Sequence, residues 1–125
     1  MDKREILALF EHWNNAIKTK EPRRVIELYA HNAVLLPTIS NNVCHSHEEM
    51  EKYFTDFLTR EPVGELDETN ISIFNDIAMN SGLYTFSFKD GSKVQARFTF
   101  VYQWNGKSWK IIKHHSSQMP ESTFF

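Results

Sequence analysis

The stretch of sequence that decides the fold is KVQARFTFVYQWNGKSWKIIKHHSS, residues 93–117. From Val94 to Trp104 every second residue is apolar, and the residues between them are mostly polar. This period of two predicts a β-strand, Lys93–Trp104, with one apolar face. The dipeptide Asn105-Gly106 is typical of a tight hairpin, so a second strand, Trp109–Ser117, should return beside the first.

Two more strands precede this hairpin. The same alternation extends over Glu65–Phe74 and over Ala78–Lys89, and Asp90-Gly91 marks the turn into the next strand. Four strands of about ten residues are longer than the usual five or six. We therefore expect a strongly curved antiparallel sheet that wraps around the rest of the chain.

The first half of the chain has helical spacing. Asp2 predicts the start of a helix whose apolar stripe runs over residues 6–17. A second, short helix should begin at Pro22 and end near His31-Asn32, followed by a short strand over Ala33–Leu36.

A third helix should follow a polar loop. Ser46 and Glu49 form a capping box, and apolar residues recur at helical spacing from Met50 to Leu58. The resulting order, α-α-β-α-β-β-β-β, predicts an α+β fold in one domain, residues 1–125.

Composition excludes several classes of protein. The chain has 125 residues, a net charge of −2 and 41% hydrophobic residues, so it lacks the basic excess of a nucleic-acid or anionic-membrane binder. A single cysteine, Cys44, excludes an internal disulfide. With no signal peptide and no long apolar stretch expected, the chain is predicted to be soluble and cytoplasmic.

Aromatic residues on the sheet predict a partner chain. Tyr84, Phe86 and Phe88 alternate on one strand, and the Lys93–Trp104 strand carries a second aromatic set. So much aromatic area indicates that both faces of the sheet are covered, one by helices and the other by another copy of the chain.

Arg97 is the only arginine of the sheet half, and it alternates with apolar residues. On such a strand it could bind a carboxylate or phosphate in a bidentate manner. The structural alternative is an exposed arginine, or one paired with a sheet carboxylate such as Asp67 or Glu68.

The histidines do not predict a metal site. His114 and His115 are adjacent on a strand and point to opposite faces, so that at most one of them serves a given site. His45, His47 and the neighbouring Cys44 lie in a loop without the spacing of a zinc site. We expect no metal and no cofactor.

No constellation of catalytic residues stands out. The sequence has no G-x-S-x-G, Walker or G-x-G-x-x-G motif. A general acid or base in an aromatic pocket would have to be Tyr84 or His114.

Four strings of this sequence resemble the calcium/calmodulin-dependent protein kinase II association-domain family. That family lies within the superfamily of nuclear-transport-factor-2-like folds, with the SnoaL-like cyclases and ketosteroid isomerases. The strings are LYAHNAVLLPTIS (28–40), SGLYTFSFKDG (81–91), ARFTFVYQWNGKSW (96–109) and IIKHHSSQMPE (111–121).

The resemblance implies a cone-shaped, curved antiparallel or mixed sheet wrapped on three N-terminal helices, with a cavity on its concave face and self-association through the sheet. The kinase hubs line that cavity with arginines, whose counterparts here are Tyr84, Thr99 and Ser116, with Arg97 one same-face step from Thr99. The predicted ligand-binding residues are therefore Arg97, Thr99, Tyr84, Ser116, His114, Met50, Phe54 and Leu58.

Two hypotheses follow. In the first, the chain is a homo-oligomerising module, without the kinase domain, with a cavity for a small organic molecule such as one bearing a carboxylate. In the second, it is an enzyme of the SnoaL or isomerase type, in which Tyr84 or His114 transfers a proton. Burial favours the all-apolar face of the Lys93–Trp104 strand as the cavity lining, whereas the kinase resemblance favours the Arg97 face. We expect the Arg97 face to line the cavity.

Overall fold

A computed structural model describes residues 2–38 and 40–120 of the chain. Three helices and one strand precede four long strands, so the predicted α+β order is confirmed. The elements are α1 (Lys3–Lys18), α2 (Pro22–Ile26), β1 (Tyr29–Leu36), α3 (His47–Leu58), β2 (Val63–Phe74), β3 (Ile77–Ser87), β4 (Lys93–Trp104) and β5 (Trp109–Gln118).

The five strands form one curved, open, mixed sheet in the order β1-β5-β4-β3-β2. β1 runs parallel to β5, and the other neighbours are antiparallel. Both predicted hairpin glycines, Gly91 and Gly106, have positive φ angles of 86° and 96°. Three of the four pairings contain a register shift, and such irregularities bend a strand and increase its twist.

Helix α1 lies against the inner, concave face of this sheet. The Asp2 carboxylate accepts a hydrogen bond from the Glu5 backbone N–H at 3.1 Å, which caps the helix as predicted. Its apolar stripe is buried, and Phe10 and Trp13 contact aromatic residues of β3 and β4. The helices of the described residues are all too short or too polar to span a bilayer.

The boundary between α2 and β1 differs from the prediction. The helix ends at Ile26, not near His31-Asn32, and the strand begins at Tyr29, not at Ala33. The Leu28 carbonyl accepts a hydrogen bond from the Ile111 N–H at 2.9 Å. Backbone groups that a longer helix would have used internally are therefore hydrogen-bonded to β5. This tertiary contact overrides the local helical spacing.

The aromatic residues of the two central strands all lie on the inner face. Tyr84 pairs with Ala96, and Phe86 pairs with Val94, so the two apolar sets, one on β3 and one on β4, share one face and pack on the helices. The helices therefore cover the aromatic face, as expected, but the aromatic residues do not form the surface that a second copy would cover. The outer face carries half-buried Met79, Leu83 and Val101 among polar side chains.

Gly82 is required by the bulge in β2. The register shifts between Leu66 and Glu68, which brings the Glu68 carbonyl toward β3. A Cβ atom built on Gly82 would lie 2.0 Å from the Glu68 carbonyl oxygen, whereas one on Gly106 would meet nothing within 4 Å. Only the absence of a side chain lets the two strands approach here.

We expect Gly82→Ala to lower the free energy of unfolding by about 3 kcal/mol, because the new methyl group meets backbone that cannot rotate away. Gly106→Ala is the matched control, since it adds the same methyl group with only the cost of a left-handed φ, about 1 kcal/mol. Urea unfolding of the two variants measures the difference, and equal losses would contradict the role of the bulge.

Candidate functional site

The candidate site is a small pocket between α1, α3 and the inner face of the sheet. Its volume is about 30 Å³, which is room for one or two water molecules. Its lining is mostly aromatic, and the half-buried residues Thr38, Tyr53 and Val94 form its rim. It is lined by Trp13, Leu35, Pro37, Thr38, Tyr53, Phe54, Phe57, Tyr84, Phe86, Phe88, Val94, Ala96, His114 and Ser116.

A chain of hydrogen bonds runs along the wall of this pocket. The Trp13 Nε1–H donates to Tyr29 Oη at 3.1 Å, and Tyr29 Oη lies 2.8 Å from His114 Nδ1. His114 Nε2 lies 3.3 Å from Tyr84 Oη, which donates to Ser116 Oγ at 2.5 Å. Five side chains from α1, β1, β3 and β5 are thereby connected.

The chain continues to the rim of the pocket. Ser116 Oγ is hydrogen-bonded to Thr38 Oγ1, which is partly buried and follows β1. Ser116 itself is buried and lies beside His114 on the inner face, since residues two apart on a strand share a face. A buried polar path therefore leads from the core to a hydroxyl at the pocket opening.

The direction of these hydrogen bonds is fixed at the inner end. The indole N–H of Trp13 can only donate, so it cannot accept the hydroxyl hydrogen of Tyr29. This hydrogen is buried and needs an acceptor, and His114 Nδ1 is the acceptor available among the described residues. His114 then carries its proton on Nε2 and donates to Tyr84. Because Tyr84 donates onward to Ser116, every hydroxyl in the chain acts as a donor toward the rim.

Burial keeps His114 in its neutral form. Its side chain is 3% exposed and stacks on Phe100 with ring centres 3.9 Å apart. Desolvation, assisted by the nearby charge of His115, lowers the pKa of His114 to about 3. Burial also raises the pKa values of Tyr29 and Tyr84 above that of a free tyrosine.

The structure brings together four of the predicted ligand-binding residues. Tyr84, His114 and Ser116 are joined by hydrogen bonds, and Phe54 of α3 lines the same pocket. Met50 and Leu58 lie on the same side of α3 but are buried in the core, 0% and 3% exposed, and are not part of the lining.

Arg97 and Thr99 do not lie at this pocket. Arg97 pairs with Leu83 and with Ser117, and its side chain is exposed on the outer face of the sheet, with Thr99 on the same face. The expectation that the Arg97 face of β4 lines the cavity is therefore wrong. The period of two decides the matter, because burying Phe98 and Phe100 on the helices forces Arg97 and Thr99 outward.

Sequence reasoning did not assign Trp13, Tyr29 or Thr38 to the site. Trp13 falls on the predicted apolar stripe over residues 6–17, Tyr29 falls within the predicted second helix, and Thr38 follows the predicted short strand Ala33–Leu36. A buried indole N–H or phenol O–H usually finds a partner, so the polar groups of Trp13 and Tyr29 were an available signal. Their partner, His114, is 85 residues from Tyr29 in sequence, and only the fold reveals it.

His45 and His47 have partners outside the pocket. The His47 Nε2–H donates to the Tyr29 and Ala30 carbonyl oxygens at 2.8 and 3.1 Å. His45 Nδ1 lies 3.6 Å from the Glu49 carboxylate, on the surface. Within residues 2–38 and 40–120, no three His, Cys, Asp or Glu side chains are arranged to hold a metal ion.

Comparison with known structures identifies proteins that share this fold. A crystal structure from Xanthomonas campestris, named for a calcium/calmodulin dependent protein kinase II association domain, superposes with a TM-score of 0.93 at 46% sequence identity, covering 98% of this chain and 91% of that chain. A nuclear transport factor 2-like protein from Pseudomonas putida gives 0.80 at 22% identity, covering 92% and 84%. A protein with a cystatin-like fold from Nostoc punctiforme gives 0.82 at 16% identity, covering 99% and 96%. No curated protein matches the chain.

The curved sheet on its helices thus defines a nuclear transport factor 2-like, or cystatin-like, fold. The sequence model of the calcium/calmodulin dependent protein kinase II association domain matches residues 2–120. The chain belongs to that family, and the resemblance seen in its sequence is confirmed.

The neutral state of His114 predicts how stability depends on pH. The unfolded chain takes up a proton on this residue below its ordinary pKa of 6.5, whereas the folded chain takes it up only near pH 3. Neutral His114 therefore makes its full contribution to the free energy of unfolding above pH 6.5. This contribution declines as pH falls toward 3, by at most about 1.4 kcal/mol per pH unit.

His114→Gln should remove this part of the pH dependence, although the variant is less stable throughout. His115→Gln, on the opposite face, is the matched control and should retain most of it. Thermal or urea unfolding between pH 4 and pH 8 measures both slopes. If His114→Gln leaves the slope of unfolding free energy against pH unchanged, His114 takes up its proton in the folded protein as readily as in the unfolded chain.

Proposed function

We propose that this protein is a self-associating module in which the outer face of the sheet packs against the same face of a second copy. The family to which the chain belongs is named for association, which supports this function. The observation that carries the proposal for this chain is the pattern of apolar and charged residues on that outer face.

An apolar strip crosses the middle of the outer face. Met79, Leu83 and Val101 are half-buried there, and no helix of the described residues covers them. A second sheet packed on this strip would remove its apolar area from water, which is the main driving force of association.

Charge divides the outer face into two halves. Glu65 and Glu68 of β2 are exposed on one side, and Arg97 and Lys113 of β4 and β5 are exposed on the other. Glu68 and Arg97 lie in one row with Leu83 between them, about 10 Å apart. Within the described part of the chain, Arg97 forms no ion pair, so the structural alternative of a pair with Asp67 or Glu68 is not found.

This division selects one orientation of the second copy. A two-fold axis parallel to the strands places the acidic side of one copy over the basic side of the other, whereas an axis across the strands would place like charges together. We therefore assign Arg97 to the interface, where it faces Glu68 of a second copy, and not to an anion site in the cavity.

We expect a dimer or larger assembly at micromolar concentration, and Arg97→Glu or Glu68→Arg alone should weaken it by about tenfold or more, because each creates two like-charge contacts across the two-fold axis. The double variant, Arg97→Glu with Glu68→Arg, should recover most of the affinity. Sedimentation velocity or light scattering at several concentrations measures the change.

Lys18→Glu is the control, since Lys18 is exposed on α1, away from the sheet. A monomeric wild-type protein would contradict the function, and a double variant that associates less well than either single variant would contradict the orientation.

The pocket on the inner face is proposed as a site for a small organic molecule. Its enclosed volume of about 30 Å³ is below the ~300–1,000 Å³ of ordinary ligand sites, so binding requires the rim residues Tyr53 and Val94 to rotate outward. A stretch of aromatic lining with a few converging hydroxyl groups supports this role.

Proton-transfer catalysis is the weaker alternative. A catalytic acid or base works best when its pKa lies near the working pH. Burial moves the pKa of His114 down to about 3 and that of Tyr84 upward, so both move away from neutrality. These pKa shifts favour a role in which His114 and Tyr84 keep their protonation state and form hydrogen bonds, over a role in which they exchange protons.

The remaining expectations stay predictions. We propose that residues 1–125 act as one association-domain-like unit in the cytoplasm, with copies of itself as partner and without nucleic acid or membrane. The net charge of −2 supports the proposal that neither nucleic acid nor a membrane is a partner.

A further inference from the structure

The hydrogen-bond chain ends on a hydroxyl group whose donor is available to the pocket. Ser116 accepts from Tyr84, and Thr38 Oγ1 is the acceptor that remains for its own hydrogen among the described residues. Because Ser116 is buried and a buried hydroxyl hydrogen needs an acceptor, Ser116 donates to Thr38. Thr38 accepts this bond and keeps its hydroxyl hydrogen. Among the described residues Ser116 is the hydrogen-bond partner of the Thr38 side chain, and Thr38 is half-buried at the rim, so its hydrogen can reach a molecule in the pocket.

The lining of the pocket carries no compensating charge. None of the described lining residues is Asp, Glu, Lys or Arg, and its one imidazole, His114, is neutral and already bonded at both nitrogens. A carboxylate brought into this space would lose its water without gaining a cation, which is costly. The same argument disfavours an ammonium group.

We propose that this pocket binds a neutral, mostly apolar or aromatic molecule through a single hydrogen-bond acceptor, such as a ketone, aldehyde or ester oxygen, which accepts from the Thr38 hydroxyl. The inference rests on the proposed ligand pocket and names the class of its ligand. An alcohol fits less well, because its own hydroxyl hydrogen would be buried without an acceptor.

The direction of the chain is what creates this preference. The Trp13 indole donor lies at the far end of the path and orients Tyr29, His114, Tyr84 and Ser116 in turn. A hydroxyl at the rim would otherwise accept as readily as it donates. Here the Thr38 oxygen accepts from Ser116 on its inner side, which leaves its hydrogen for a molecule in the pocket.

Three probes of similar size and different chemistry test the inference on the full chain: acetophenone, ethylbenzene and benzoate. We expect acetophenone to bind about threefold to tenfold more tightly than ethylbenzene, which corresponds to one neutral hydrogen bond. Benzoate should bind more weakly than either. Calorimetry, with fluorescence of Trp13 in the pocket wall as a second signal, measures the affinities.

Thr38→Val removes the hydroxyl and keeps the branched shape of the side chain. It should abolish the preference for acetophenone over ethylbenzene while leaving ethylbenzene binding unchanged. Thr38→Ser should retain the preference. Tyr53→Phe is the matched control, because Tyr53 carries the other rim hydroxyl.

The outcomes separate the two proposals. If acetophenone and ethylbenzene bind equally to the wild type, or if the preference is lost in Tyr53→Phe and kept in Thr38→Val, the pocket stands and its assignment to a Thr38 acceptor ligand is wrong. Tighter binding of benzoate would overturn the neutral class. If neither neutral probe binds at millimolar concentration, the ligand pocket itself fails, and self-association is unaffected.

Discussion

The buried imidazole of His114, held between the hydroxyl groups of Tyr29 and Tyr84, is the constraint on which the inner half of the molecule depends. A polar ring this deeply buried is tolerated only when both nitrogens have partners. Meeting that requirement joins β1, β3 and β5 through side chains, and Trp13 adds α1. A network of this kind favours one packing arrangement, because any other leaves polar atoms unpaired.

The two faces of the sheet divide the proposed roles. On the inner face, aromatic packing surrounds a short path of neutral polar groups that ends at the pocket rim. On the outer face, a half-buried apolar strip lies between acidic and basic residues. Arg97 belongs to the second surface, so the proposed ligand site and the proposed contact between copies involve different residues and can be tested independently.

The resemblance to the kinase association domains implied that Tyr84, Thr99 and Ser116 correspond to arginines of a cavity. In this chain Tyr84 and Ser116 are hydrogen-bonded to each other at the pocket, whereas Thr99 lies on the outer face. The hydroxyl groups of Tyr84 and Ser116 form hydrogen bonds without carrying a charge. These uncharged groups are the basis of the proposal that the pocket takes a neutral molecule.

By itself the sequence determined the α+β order, the helix caps and the hairpin turns, because these depend on residues a few positions apart. It also determined that Tyr84 and His114 are the titratable groups of interest, since period-two alternation places them among apolar neighbours. Only the tertiary structure decided the early end of α2, the outward position of Arg97 and the hydrogen-bond chain that links Trp13, Tyr29 and Thr38 through His114, Tyr84 and Ser116. Those features depend on which strand lies beside which and on the face that the helices cover, and residues 16 to 85 positions apart meet only when the sheet has formed.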